Sequence, residues 1–241
     1  MNLQIKIYKS EGDLFHHAAG AISMLINEFL NEYGKCTFVL SGGSTPKNLY
    51  RILGSERFRE HINWDNVYIF WGDERCVPPE SDESNYKMAN DSLLSHIEIP
   101  KKNIFRIKGE LAPEASANEY EERIKEFFAG KKLPSFDVIL LGLGEDGHTA
   151  SLFPGSNALK ETEKWVVENY AEIQHKWRIT MTLKAINNAR NIAFLVSGKN
   201  KAGVVKEVIR KKNPEMPASL INPSTGNLTW YLDKDAALMI K

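Results

Sequence analysis

Short apolar runs alternate with helical stretches along the whole chain, and that alternation restricts the possible folds more than any other feature. The runs stand at 4–8 (QIKIY), 36–40 (CTFVL), 67–71 (VYIFW), 103–107 (NIFRI), 137–142 (DVILLG), 164–170 (KWVVENY), 178–183 (RITMTL), 191–198 (NIAFLVSG) and 228–232 (LTWYL). Several are apolar almost throughout, as strands covered on both faces must be. The first helical stretch covers 11–33, with Leu14, Ala18, Ala21, Ile22, Leu25, Ile26 and Phe29 at helical spacing and Gly34 placed to end it. Others cover about 46–60, 84–95, 113–129 and 199–212. The pattern predicts a mostly parallel sheet with helices on both faces, built as one domain over residues 1–241, with 76–84 and 213–227 as internal loops.

Composition removes several classes of partner. Lys plus Arg equal Asp plus Glu at 31 each, so no global field draws the chain to nucleic acid or an acidic membrane. Any anion must be held by a local arrangement. Cys36 and Cys76 are too few for a disulfide framework and are expected to be reduced thiols. The N-terminus lacks the unbroken apolar core of a signal peptide, and no stretch approaches membrane-spanning length. A cytoplasmic location is expected, while oligomeric state stays open.

In a parallel sheet the binding crevice lies at the carboxyl ends of the strands, so the residues after each strand carry the information. After CTFVL comes Ser41-Gly42-Gly43-Ser44-Thr45-Pro46. Gly42 and Gly43 permit close approach of an oxyanion, Ser44 or Thr45 can cap the next helix, and Pro46 suits its first turn. The helix start would offer free N–H groups and about half a positive charge to a phosphate. The pattern is neither Walker A nor GxGxxG, so no nucleotide is implied, and a plain tight turn is the alternative.

After VYIFW comes Gly72-Asp73-Glu74-Arg75-Cys76. Asp73 could hold hydroxyls and Arg75 an anionic group, or the acids and the arginine could simply fix the loop. After DVILLG comes Leu143-Gly144-Glu145-Asp146-Gly147-His148. His148 is the side chain suited to exchange protons near neutral pH, with Asp146 near enough to set its tautomer; a turn histidine bonded to backbone is the alternative. Arg178 opens RITMTL and Lys201 starts a helix after Gly198. Together with the glycine loop they would surround one phosphate with two cations and several N–H donors. The acid–His groupings show no metal-ligand spacing, so no metal is expected. His16, His17, His61, His96 and His175 have no motif context and read as structural or surface groups.

Taken in order, LSGGSTP (40–46), WGDERCVP (71–78), SNYKMA (84–89), DVILLGLGEDGHTASLFPGS (137–156), RITMTL, SGKNKA (197–202) and PASLINPSTGNLTWYLD (217–233) resemble the 6-phosphogluconolactonases, within the glucosamine-6-phosphate isomerase/deaminase superfamily. The resemblance spans essentially the whole chain. It implies a three-layer α/β/α fold with a mostly parallel, Rossmann-like sheet, and hydrolysis of 6-phospho-D-glucono-1,5-lactone, a phosphorylated sugar lactone, without cofactor or metal. By that resemblance His148 matches the general base, Asp146 its acidic companion, and Arg75 an arginine near lactone or phosphate. Gly42, Gly43, Ser44, Arg178 and Lys201 match the phosphate-holding set.

The deaminase branch shares the glycine loop, the aspartate and DGH, but resembles a scheme with a glutamate where Phe153 stands here. GDERCVP also departs from its pattern, so the lactonase reading is preferred. A non-catalytic sugar-phosphate sensor would normally carry a DNA-binding module, for which the chain has no spare segment. No GxSxG elbow is present, which argues against a covalent esterase.

Overall fold

The computed structural model describes residues 2–240. Ten strands form in chain order: β1 Asn2–Tyr8, β2 Cys36–Leu40, β3 Val67–Trp71, β4 Asp73–Arg75, β5 Ile104–Phe105, β6 Val138–Leu141, β7 Val166–Ala171, β8 Lys176–Met181, β9 Asn191–Val196 and β10 Asn227–Asp233. The helices are α1 Glu11–Tyr33, α2 Ser44–Leu53, the short α3 Glu56–Arg59, α4 Asn85–Ser92, α5 Pro113–Phe127, and the single turns α6 Leu183–Ile186 and α7 Ala202–Val205. No helix among the described residues is long and apolar enough to cross a membrane.

Seven strands make a wholly parallel sheet in the order β1-β10-β9-β6-β2-β3-β5, flanked by helices. From β2 the chain proceeds one way to β3, whereas β6, β9 and β10 lie on the other side. The order reverses between β2 and β6, and a crevice opens there at the carboxyl ends. The loops after β2, β6 and β9 converge on it. The sheet interior is apolar on both faces: β2, β6 and β9 are buried at every position. Phe70 anchors one aromatic cluster, 4.5 Å from Phe105 and 5.3 Å from Phe127 of α5, and Phe194 stacks on Trp230 at 3.8 Å.

The sequence pattern did not distinguish a second sheet. β4, β8 and β7 form an antiparallel three-stranded unit, so two of the expected parallel strands leave the main sheet. The reason lies in the connection: β7 and β8 are joined by 172–175, with His175 left-handed at φ 50°, and a parallel crossover needs about a dozen residues or more. β4 itself falls where the sequence suggested a loop, and NIFRI contracts to the two-residue β5 at the sheet edge. The predicted 199–212 helix is a composite of a 3₁₀ turn, α7 and a π turn at Lys206–Arg210.

Two buried tyrosines fasten the strand ends that carry the site. Tyr50 Oη accepts from Ser41 N and donates to Ser41 O, both at 2.8 Å. Tyr120 Oη does the same for Trp71, at 2.8 and 3.0 Å. Each hydroxyl satisfies a backbone donor and acceptor at the carboxyl end of a strand; a buried group of this kind left unpaired costs about 1–3 kcal/mol. Burial pushes both phenols well above their ordinary range, so they stay protonated and can serve both roles.

Candidate active site

At the strand-order reversal, one cavity of about 260 Å³ is lined by Gly42, Gly43, Ser44, Asp73, Arg75, His148, Phe153, Arg178 and Lys201, among others. Asp146 stands behind His148 and is the one predicted residue that does not line it.

The glycine loop departs from one expectation. Neither Ser44 nor Thr45 caps α2: Gly43 occupies the N-cap at φ 106°, a conformation closed to most side chains, and no side chain bonds the first turn. The chain turns from β2 into α2 so abruptly that both residues are already helical. Pro46 lies in that first turn as predicted. The uncapped start therefore leaves the helix N–H groups free to face an anion.

Glu74 divides the acidic–arginine cluster into two tasks. Its buried carboxylate accepts from Arg75 N at 2.8 Å, Asn85 N at 2.7 Å, Tyr86 N at 2.8 Å and Ser84 Oγ at 3.0 Å. It thus caps α4 and fixes the loop, the structural role anticipated for the cluster as a whole. Burial still holds its carboxyl above the usual range, despite those donors. Asp73 and Arg75, on either side, face the cavity. Asp73 Oδ2 accepts from Ser151 Oγ at 2.7 Å, and Arg75 Nη1 donates to Glu83 O at 2.5 Å.

His148 Nδ1 lies 2.5 Å from Asp146 Oδ1, which also accepts from His148 N at 3.1 Å. Burial alone would raise the Asp146 carboxyl, but the hydrogen bond and charge of His148 outweigh it and hold the group below its usual range. An ionised carboxylate only accepts, so in the neutral imidazole Nδ1 carries the proton and Nε2 has the free lone pair. The Phe153 ring packs 4.9 Å from the imidazole.

Three cations complete the wall. Among the described residues, none of Arg75, Arg178 and Lys201 has a carboxylate within ion-pair distance. Arg178 is buried, and its guanidinium donates to Gln174 Oε1 at 3.4 Å and Trp177 O at 3.3 Å. Desolvation first, then the charge of Arg75, pulls its guanidinium below the ordinary arginine value. Buried, unpaired positive charge is costly unless an anion arrives. No group of three or more His, Cys, Asp or Glu among the described residues is arranged to hold a metal ion.

Sequence reasoning gave no role to Asn85, Ser151 and Gln174, which also line the cavity. SNYKMA had marked the position of Asn85 without its chemistry, whereas Gln174 sits in the unanticipated β7–β8 turn.

Residues 9–230 match the family described as glucosamine-6-phosphate isomerases/6-phosphogluconolactonase. The chain is 40% identical over 203 residues to a 6-phosphogluconolactonase of Haemophilus influenzae, covering 83% of this chain and 86% of that one. It is 37% identical over 243 residues to the chloroplastic 6-phosphogluconolactonase 3 of Arabidopsis thaliana, covering 97% and 74%. Its fold superposes on the solved structure of 6-phosphogluconolactonase from Trypanosoma brucei with a TM-score of 0.87 at 32% identity, covering 100% and 99% of the two chains. In sequence and in fold alike, the chain belongs to the glucosamine-6-phosphate isomerase/6-phosphogluconolactonase family.

Proposed function

We propose that this chain hydrolyses 6-phospho-D-glucono-1,5-lactone to 6-phospho-D-gluconate in the oxidative pentose phosphate pathway, with His148 as the general base. The observation that carries the reading is that an Asp146-oriented imidazole and an unpaired cationic wall open onto the same cavity. Relatives named 6-phosphogluconolactonase support the same substrate.

A lactone is an activated ester, so a base and a water molecule suffice to open it. Nε2 of His148 takes a proton from water as the oxygen bonds to the carbonyl carbon. The tetrahedral intermediate then expels the ring oxygen, which recovers the proton from the imidazolium. Asp146 steadies that imidazolium and keeps Nδ1 as the donor. The α2 start, Arg178 and Lys201 hold the phosphate, fixing the reacting carbon relative to the base. Arg75 adds positive charge beside the lactone or its phosphate. Phe153 offers no carboxylate at the position where deaminase chemistry would require one.

Replacing His148 by Ala tests the base. Lactone opening should fall about 10²- to 10⁴-fold toward the spontaneous rate, with phosphate binding retained. Full activity in that variant would remove His148 from the mechanism.

A further inference from the structure

We propose that Asn85 is a specificity-determining residue that accepts a hydrogen bond from a ring hydroxyl of the substrate; this rests on the sugar-phosphate lactone reading of the site. Asn85 opens α4 and is buried except for its edge on the cavity. Its Nδ2 donates to Asp73 O at 2.9 Å and approaches Asp73 Oδ1 at 3.5 Å. Both partners are acceptors, so the amide orientation is forced: NH₂ faces Asp73 and Oδ1 is turned away from it. Among the described residues no donor reaches that oxygen.

The position of Oδ1 is set with care. The backbone N–H groups of Asn85 and Tyr86 are held by Glu74, and Ser84 Oγ both donates to Glu74 and accepts from Lys87 N at 3.1 Å. On the other side, a Cβ added to Gly42 would stand 2.0 Å from Oδ1, so the amide lies hard against the glycine loop. Asn85 therefore bridges the loop assigned to the phosphate and the Asp73 wall. Asp73 and Asn85 Oδ1 both present acceptors there, which repel phosphate oxygens and suit hydroxyl donors. A site built to pair with a hydroxyl discriminates strongly against an analogue lacking it, because its own polar group is left unpaired.

The test crosses substrate with enzyme. Freshly generated 6-phosphogluconolactone and its 2-, 3- and 4-deoxy analogues are assayed for kcat/KM with wild type, Asn85→Ala and Asn85→Ser. The serine variant keeps a residue compatible with a helix start, and thermal midpoints establish that each variant is folded. In wild type one deoxy analogue should lose about tenfold or more, and in both variants that penalty should shrink to about twofold or less. Penalties that persist unchanged in the variants, with the parent lactone still turned over, overturn the role of Asn85 alone. Failure of wild type to open the parent lactone overturns the lactone reading and this proposal with it.

Discussion

Arg75 and Arg178 face each other directly across the antiparallel β4–β8 pair, and among the described residues neither has a carboxylate within ion-pair distance. Like charges opposed in a sheet are destabilising. Such a pairing stores a preference for an anion, and it exists only because the chain leaves the parallel sheet to form a second one.

Replacing Arg178 by Met keeps much of its packing volume while deleting the charge. KM should rise by about 10- to 100-fold with kcat much less affected, because the proposed charge-assisted contact to the phosphate would be lost. The variant should be at least as thermostable as wild type without ligand, and inorganic phosphate should raise its melting midpoint less. An unchanged KM would remove Arg178 from the anion site.

Asp146 ties stability to pH. Because its folded carboxyl lies below the ordinary range, its ionised form favours the fold fully above about pH 4. That contribution fades as the pH falls through the lowered value. Urea unfolding of wild type and Asp146→Asn should therefore show a modest stability difference at pH 7 that shrinks by pH 3. A stability difference independent of pH would deny that contribution.

Much of this fold was legible because its local signals agree. α1 begins and ends where the helical spacing and Gly34 place it, and β2 and β3 coincide with their apolar runs. The strand-end rule pointed to Gly42, Gly43, Asp73, Arg75 and His148, which line one cavity because each follows a buried parallel strand. The β4–β8–β7 unit was hidden because alternation in sequence does not reveal which sheet a strand joins; the brief 172–175 turn decides it. Asn85 was opaque for a related reason: it enters the cavity from the start of α4 and acquires its place through Glu74, a contact across 11 residues. The uncapped start of α2 depended on the backbone at Gly43, which a serine-rich motif disguises.

As proposed, the cavity opens a phosphorylated lactone rather than deaminating an aminosugar phosphate. Freshly generated 6-phosphogluconolactone, followed against its spontaneous hydrolysis, and glucosamine 6-phosphate, followed by ammonia release, test it in parallel with wild-type protein. Accelerated lactone opening and no ammonia above background are expected. Ammonia release without acceleration of the lactone would contradict it.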